Sequence, residues 1–182
     1  MTNHSMDCCS TADAGLARRG FLKVAALAGG AALFAAWAPR LASAAGGTDV
    51  LLLSCMDYRL MDDVARFMEG RGLKEKYDHV ILAGASLGVL QKNNPAWGET
   101  FWQHVGVAVD LHAIKKVVVL DHRDCGAYKV FIGKEHLKDA ETEKTAHAAQ
   151  LRELKKQIGV KQPKLEVELL LMGLDGKVET IA

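Results

Sequence analysis

Three things are scarce in this 182-residue sequence, and each closes off a class of protein. Net charge is the first: 23 basic against 22 acidic residues leave a formal charge of +1, which gives no electrostatic reason to expect a nucleic-acid partner. Long apolar runs are the second. The modestly apolar stretch Val24 to Ala38 has 15 residues, short of the roughly 20 that span a bilayer comfortably. Repetition is the third, since nothing recurs at a fixed period and no low-complexity tract stands out beyond the alanine-rich N-terminus. The serine in "GASLG" also lacks the G-x-S-x-G spacing of a nucleophile elbow. What remains, 49% hydrophobic and 25% charged residues, suits one globular domain.

The N-terminus is a separate object. Paired arginines, Arg18 and Arg19, precede Phe21, Leu22 and Lys23; the apolar run follows, then Pro39, Arg40 and the small-residue site Ala42-Ser43-Ala44. This is the layout of an export signal, and the twin-arginine start points to the pathway that carries folded proteins. Residues 1–44 are therefore expected to be a signal peptide, with a periplasmic or otherwise exported product and no stable membrane span after cleavage. Cleavage removes four basic and two acidic residues. It leaves a domain of residues 45–182 with 19 basic and 20 acidic residues, a formal charge of −1. Of the four cysteines, Cys8 and Cys9 go with the leader; Cys55 and Cys125 stay.

From Asp49 onward the pattern alternates. "DVLLLS" reads as a strand, Leu60 to Arg71 as a helix, "HVILAG" as a second strand, and a glycine- and asparagine-rich loop runs to Pro95. "ETFWQHVGVAVDLHAI" has Phe101, Val105, Ala108 and His112 along one helical stripe. "KKVVVLD" is a third strand, helical stretches cover 127–133 and 140–158, and "LEVELLLMG" is a fourth strand. Strands apolar almost throughout belong in a parallel sheet with helices on both faces, so the fold class is α/β with right-handed crossovers. In the common order 2-1-3-4 the ligand crevice opens beyond strands 1 and 3, where the winding reverses. Strand 1 ends in "SCMDYR" and strand 3 in "LDHRDCG". The two polar sets should face each other.

Cys55, His122 and Cys125, with Asp57 as a possible fourth, offer two sulfurs, a nitrogen and an oxygen, a donor set that suits one zinc ion per chain. The H-x-x-C spacing lets one tight turn present two of them. A Cys55–Cys125 disulfide is the rival reading, because paired cysteines in an oxidising compartment usually cross-link. It leaves His122, Asp57 and Arg59 without a role.

C-x-D-x-R followed by H-x-x-C-G, each after a parallel strand, resembles the β-class carbonic anhydrases, and "CMDYRL" is similar to their small bacterial and archaeal members. The likeness runs from about Val50 to the end, where "MGLDGKV" resembles the turn closing the family's fourth strand. The resemblance implies a β-carbonic-anhydrase-like fold with Cys55, His122 and Cys125 on zinc. Asp57 either completes the coordination or pairs with Arg59, and these two are the candidate catalytic residues. It implies reversible hydration of carbon dioxide to bicarbonate by a metal-bound hydroxide. Two alternatives are a hydrolase of a sulfur analogue, carbonyl sulfide or carbon disulfide, and a catalytically silent zinc-binding domain. Because two thiolates give zinc more charge than imidazoles do, activity is expected to climb on the alkaline side.

A homodimer or higher homo-oligomer and contact with the twin-arginine machinery are the expected associations. The sequence also departs from the family pattern. Ile81-Leu82-Ala83-Gly84 stands where R-N-A-G is usual, "LGVLQKNNPAW" reads as an extra loop, and only ten residues separate Ala44 from Cys55. His104 and His112 are expected on a core-facing or flanking helix, His136 and His147 on solvated segments, and Trp97, Phe101 and Trp102 in core or dimer contacts. Gly84, Ala85, Ser86 and Gly88 could form a backbone lip over the crevice.

Overall fold

The computed structural model describes residues 48–182, so the expected leader, residues 1–44 with its twin-arginine start, lies outside the described residues. One five-stranded sheet has the order β2-β1-β3-β4-β5. Strands β1 (Val50–Cys55), β2 (Tyr77–Leu82), β3 (Lys116–His122) and β4 (Glu166–Met172) run parallel, and β5 (Val178–Thr180) is antiparallel to β4. The helices are α1 (Met61–Gly70), α2 (Ser86–Leu90), α3 (Pro95–His112), α4 (Gly126–Phe131) and α5 (Ala140–Lys161), with 3-10 turns at Tyr58–Leu60 and Lys134–Leu137.

The continuous apolar runs of β1 and β3 are explained by cover on both faces. Leu51, Leu53 and Cys55 face a larger core with Phe101 and Val105 of α3 and Leu151, Leu154 and Ile158 of α5. Val50 and Leu52 face a smaller one with Val64 and Met68 of α1. Leu51, Leu52 and Leu53 are each 1% exposed or less, so β1 alone supplies roughly 5–9 kcal/mol of gross apolar burial. Among the described residues no helix is long and apolar enough to cross a membrane.

The α/β class, the order of the first four strands and the flanking helices are as the sequence indicates. Four short elements are not legible there: α2, which occupies part of the expected loop, the 3-10 turns before α1 and at Lys134–Leu137, and β5. Each is too brief to show a period. Helix α3 also begins four residues before Glu99, because Pro95 sits at its first turn, where a missing amide hydrogen costs nothing. One reading is corrected. His136 and His147 are buried, not solvated. Glu143, His147, Leu151, Leu154 and Ile158 form the inward stripe of α5, and its polar members meet polar partners at the ends of the parallel strands.

Candidate metal centre

Parallel pairing of β1 with β3 aligns Ser54 with Leu120, so both strands end on the same edge. Cys55 closes β1 and His122 closes β3. The chain then turns through Arg123 and Asp124, the latter at φ +56, and Cys125 caps α4 in an extended conformation. Residues 70 positions apart thus meet. The donor atoms of Cys55, His122 and Cys125 all lie within 4.8 Å of one another, and all three residues are buried.

The donor geometry suits a metal better than any bond among the three residues. Both cysteines are free, and their sulfurs stand 3.9 Å apart, far beyond a disulfide's ~2.05 Å. Two sulfurs each about 2.3 Å from one tetrahedral ion would be about 3.8 Å apart. His122 donates its Nδ1 hydrogen to the Arg123 carbonyl at 2.8 Å, which leaves the Nε2 lone pair as the free one. That buried Nε2 has no hydrogen-bond partner. An unsatisfied buried acceptor costs about 1–3 kcal/mol, and a cation between it and the two sulfurs removes the penalty. The residues fit zinc.

The surroundings favour thiolate. In the metal-free protein Cys55 is lowered to about 4, chiefly by a hydrogen bond from Cys125, against the opposing effect of burial and with help from His122 and the Gly84 amide. The Gly84 N–H donates to its sulfur at 3.3 Å. Cys125 is pushed far up by sharing its proton with Cys55 and by burial, while the backbone amides of Ala127 and Tyr128 work the other way. Burial alone would lower His122, but the Cys55 thiolate and the Arg123 carbonyl hold it above its ordinary value. Two glycines make the loop possible. Gly84 has φ +78, and a Cβ at Gly88 would sit 2.5 Å from the Ala83 carbonyl oxygen.

Asp57 is paired off. Its two carboxylate oxygens accept from Nε of Arg59 at 3.0 Å and Nη2 at 2.8 Å, and Oδ2 remains 3.8 Å from His122 Nε2. Arg59 holds the Asp57 carboxyl down to about 2. The same guanidinium reaches Asp124, donating to Oδ2 at 2.9 Å and to its carbonyl at 3.1 Å. It thereby ties the C-x-D-x-R segment to the H-x-x-C turn. From the other side Glu143 accepts the Asp124 amide at 2.5 Å, and Arg123 bonds Glu143 and Glu179. Beside Cys55 and Asp57 opens a cleft of about 390 Å³, lined largely by Ala83, Trp97, Ala127, Val130 and Phe131.

The geometry therefore brings together Cys55, His122 and Cys125, with Asp57 and Arg59 alongside. His104 and His112 stand apart, bonded to the Thr100 carbonyl and to Asp78. Phe101 is core and Trp97 lines the cleft. The expected lip of residues 84–88 supplies a sulfur's hydrogen-bond donor. Asp124 and Glu143, which lock the ligand turn, are not visible in the sequence: no spacing rule marks an acid whose partners are a distant guanidinium and a backbone amide.

The sequence model of a family described as "Putative carbonic anhydrase" matches residues 45–182. An uncharacterized protein of Rickettsia conorii is 46% identical over 131 residues, covering 72% of this chain and 70% of its own. The carbonic anhydrase of Streptococcus mutans superposes at TM-score 0.52 and 15% identity, over 91% of this chain and 97% of that one. A β-carbonic anhydrase of Aspergillus fumigatus superposes at 0.50 and 14%, over 75% and 90%. At such identities the two structures show a shared fold.

Proposed function

The chain belongs to the putative carbonic anhydrase family, and from that premise we propose that it is a zinc enzyme hydrating carbon dioxide reversibly to bicarbonate. Cys55, His122 and Cys125 would hold the ion. Bound there, zinc supplies an acidified water, a nucleophile near neutral pH. The single observation carrying the proposal is the orphaned Nε2 of His122, buried and grouped with two free sulfurs while Asp57 is bound by Arg59.

The other residues divide the remaining work. Asp57, kept ionised by Arg59, can only accept hydrogen bonds, so it would take the proton-bearing side of the reacting water and turn the lone pair toward the cleft. The aromatic and aliphatic walls of that cleft suit a small apolar molecule and repel bulk water. The same walls favour a second reading, hydrolysis of carbonyl sulfide or carbon disulfide, which also need a linear apolar substrate beside the metal.

Exposed Met56, Tyr58 and Val130 surround the cleft mouth, and this apolar patch supports assembly into a homodimer. Export through the twin-arginine pathway rests on Arg18, Arg19 and the Ala42-Ser43-Ala44 site. Metal analysis of the purified protein, paired with a carbon dioxide hydration assay across pH, tests the main proposal. One zinc per chain with measurable hydration is expected; stoichiometric zinc without hydration of carbon dioxide or hydrolysis of its sulfur analogues makes the domain silent.

A further inference from the structure

Asp121 is an acid at the end of an otherwise apolar strand, and the proposed chemistry makes no use of it. It is 1% exposed. A carboxylate so deep is tolerated only when its oxygens are satisfied, and here four donors converge on it. The Ser86 amide donates to Oδ1 at 3.0 Å; the Ser86 hydroxyl at 2.7 Å, the Tyr128 hydroxyl at 2.6 Å and His147 Nδ1 at 2.9 Å reach Oδ2. All four groups are buried. They come from α2, α4 and α5, and the Ser86 and Tyr128 hydroxyls also lie 3.3 Å from each other.

Two of those elements adjoin the segments that hold the metal-site sulfurs. Gly84, which donates to Cys55 Sγ, lies two residues before Ser86. Between them Ala85 adopts φ +43 and ψ −103, a conformation that L residues avoid and that persists only when neighbouring contacts enforce it. The paired bonds from Ser86 to Asp121 are such contacts. Tyr128 stands in the first turn of α4, three residues after the N-capping Cys125, and the backbone amides of that turn oppose the upward push on the Cys125 thiol. His122 is the residue after Asp121 in β3.

We propose that Asp121 is a positioning residue of the metal centre, a single buried acceptor that aims the amide donor of the Cys55 sulfur through Ser86 on one side and fixes the helix turn following Cys125 through Tyr128 on the other. The inference rests on the reading of Cys55, His122 and Cys125 as metal ligands. A merely structural role would hold the core together without altering the metal's environment, and the two roles differ in what a spectrum shows.

The test uses the full chain loaded with cobalt(II), whose sulfur charge-transfer band reports the thiolates, alongside zinc competition against a chelator. Asp121→Asn converts an accepting oxygen into a donor. It should weaken zinc binding about 10–100-fold, as loss of supporting contacts around metal ligands does, and shift the cobalt band. Ser86→Ala and Tyr128→Phe should each produce part of the change, and together match Asp121→Asn.

Met68→Ala, a truncation in the smaller core, which contains no member of the network, should lower the melting temperature and leave affinity and band intact. A folded Asp121→Asn protein with wild-type affinity and spectrum overturns the inference, as does a Met68→Ala protein that loses metal in proportion to its stability. If Asp121→Asn does not fold, Tyr128→Phe decides, since it deletes one hydroxyl, and an unchanged band overturns the inference. Wild-type protein that binds neither metal overturns the metal reading itself and this inference with it.

Discussion

Replacing Arg59 with alanine separates catalysis from stability at this site. The guanidinium makes two bonds to Asp57 and two to Asp124. Its side chain is 34% exposed and that of Asp57 14%, so solvent screens much of the attraction. The pair should contribute about 1 kcal/mol to folding, and Arg59→Ala should lower the melting temperature by only about 3 °C. Function should suffer more. Without its partner the Asp57 carboxyl rises toward the ordinary range, and its Oδ2, already 3.8 Å from His122 Nε2, is free to swing onto the metal and occupy the open position.

Hydration should then fall about 10–100-fold, equivalent to about 1.4–2.7 kcal/mol of activation energy, with zinc still bound. Stopped-flow hydration by the variant, with zinc content and thermal melting measured on the same sample, gives all three quantities. Asp57→Ala should lose the orienting acceptor and also slow the reaction. If both variants turn over like the wild type while zinc stays bound, the orienting role of Asp57 and Arg59 is wrong.

Three other outcomes follow from the same geometry. Hydration should rise between about pH 7 and 9, because two thiolates donate more charge to zinc than imidazoles do; a flat profile contradicts the proposed ligand set. In metal-free protein carrying Cys8→Ser and Cys9→Ser, Cys55 is already ionised above about pH 4 while Cys125 stays protonated. Raising the pH from 6 to 9 should therefore add almost no thiolate absorbance at 240 nm, whereas two ordinary thiols, with pKa ~8.5, would ionise in that window. Val130→Asp should convert a dimer into monomers in sedimentation velocity if Met56, Tyr58 and Val130 form the interface; an unchanged mass places the interface elsewhere.

The sequence alone determined the α/β class, the order of four parallel strands, and the identity of Cys55, His122, Cys125, Asp57 and Arg59 as one group. Periodicity and chemistry are local properties: an apolar run reads as a covered strand, and a thiol or imidazole just beyond it is out of place unless something binds it. Tertiary structure decided what depends on distances between remote residues. It set the sulfurs 3.9 Å apart and free, and left His122 Nε2 without a partner. It turned Asp57 toward Arg59, and drew His147 into the interior. The spacing of His147 with Leu151, Leu154 and Ile158 does put it on the inward stripe of α5, but its partner, the buried acid Asp121 on another strand, is set only by the tertiary structure.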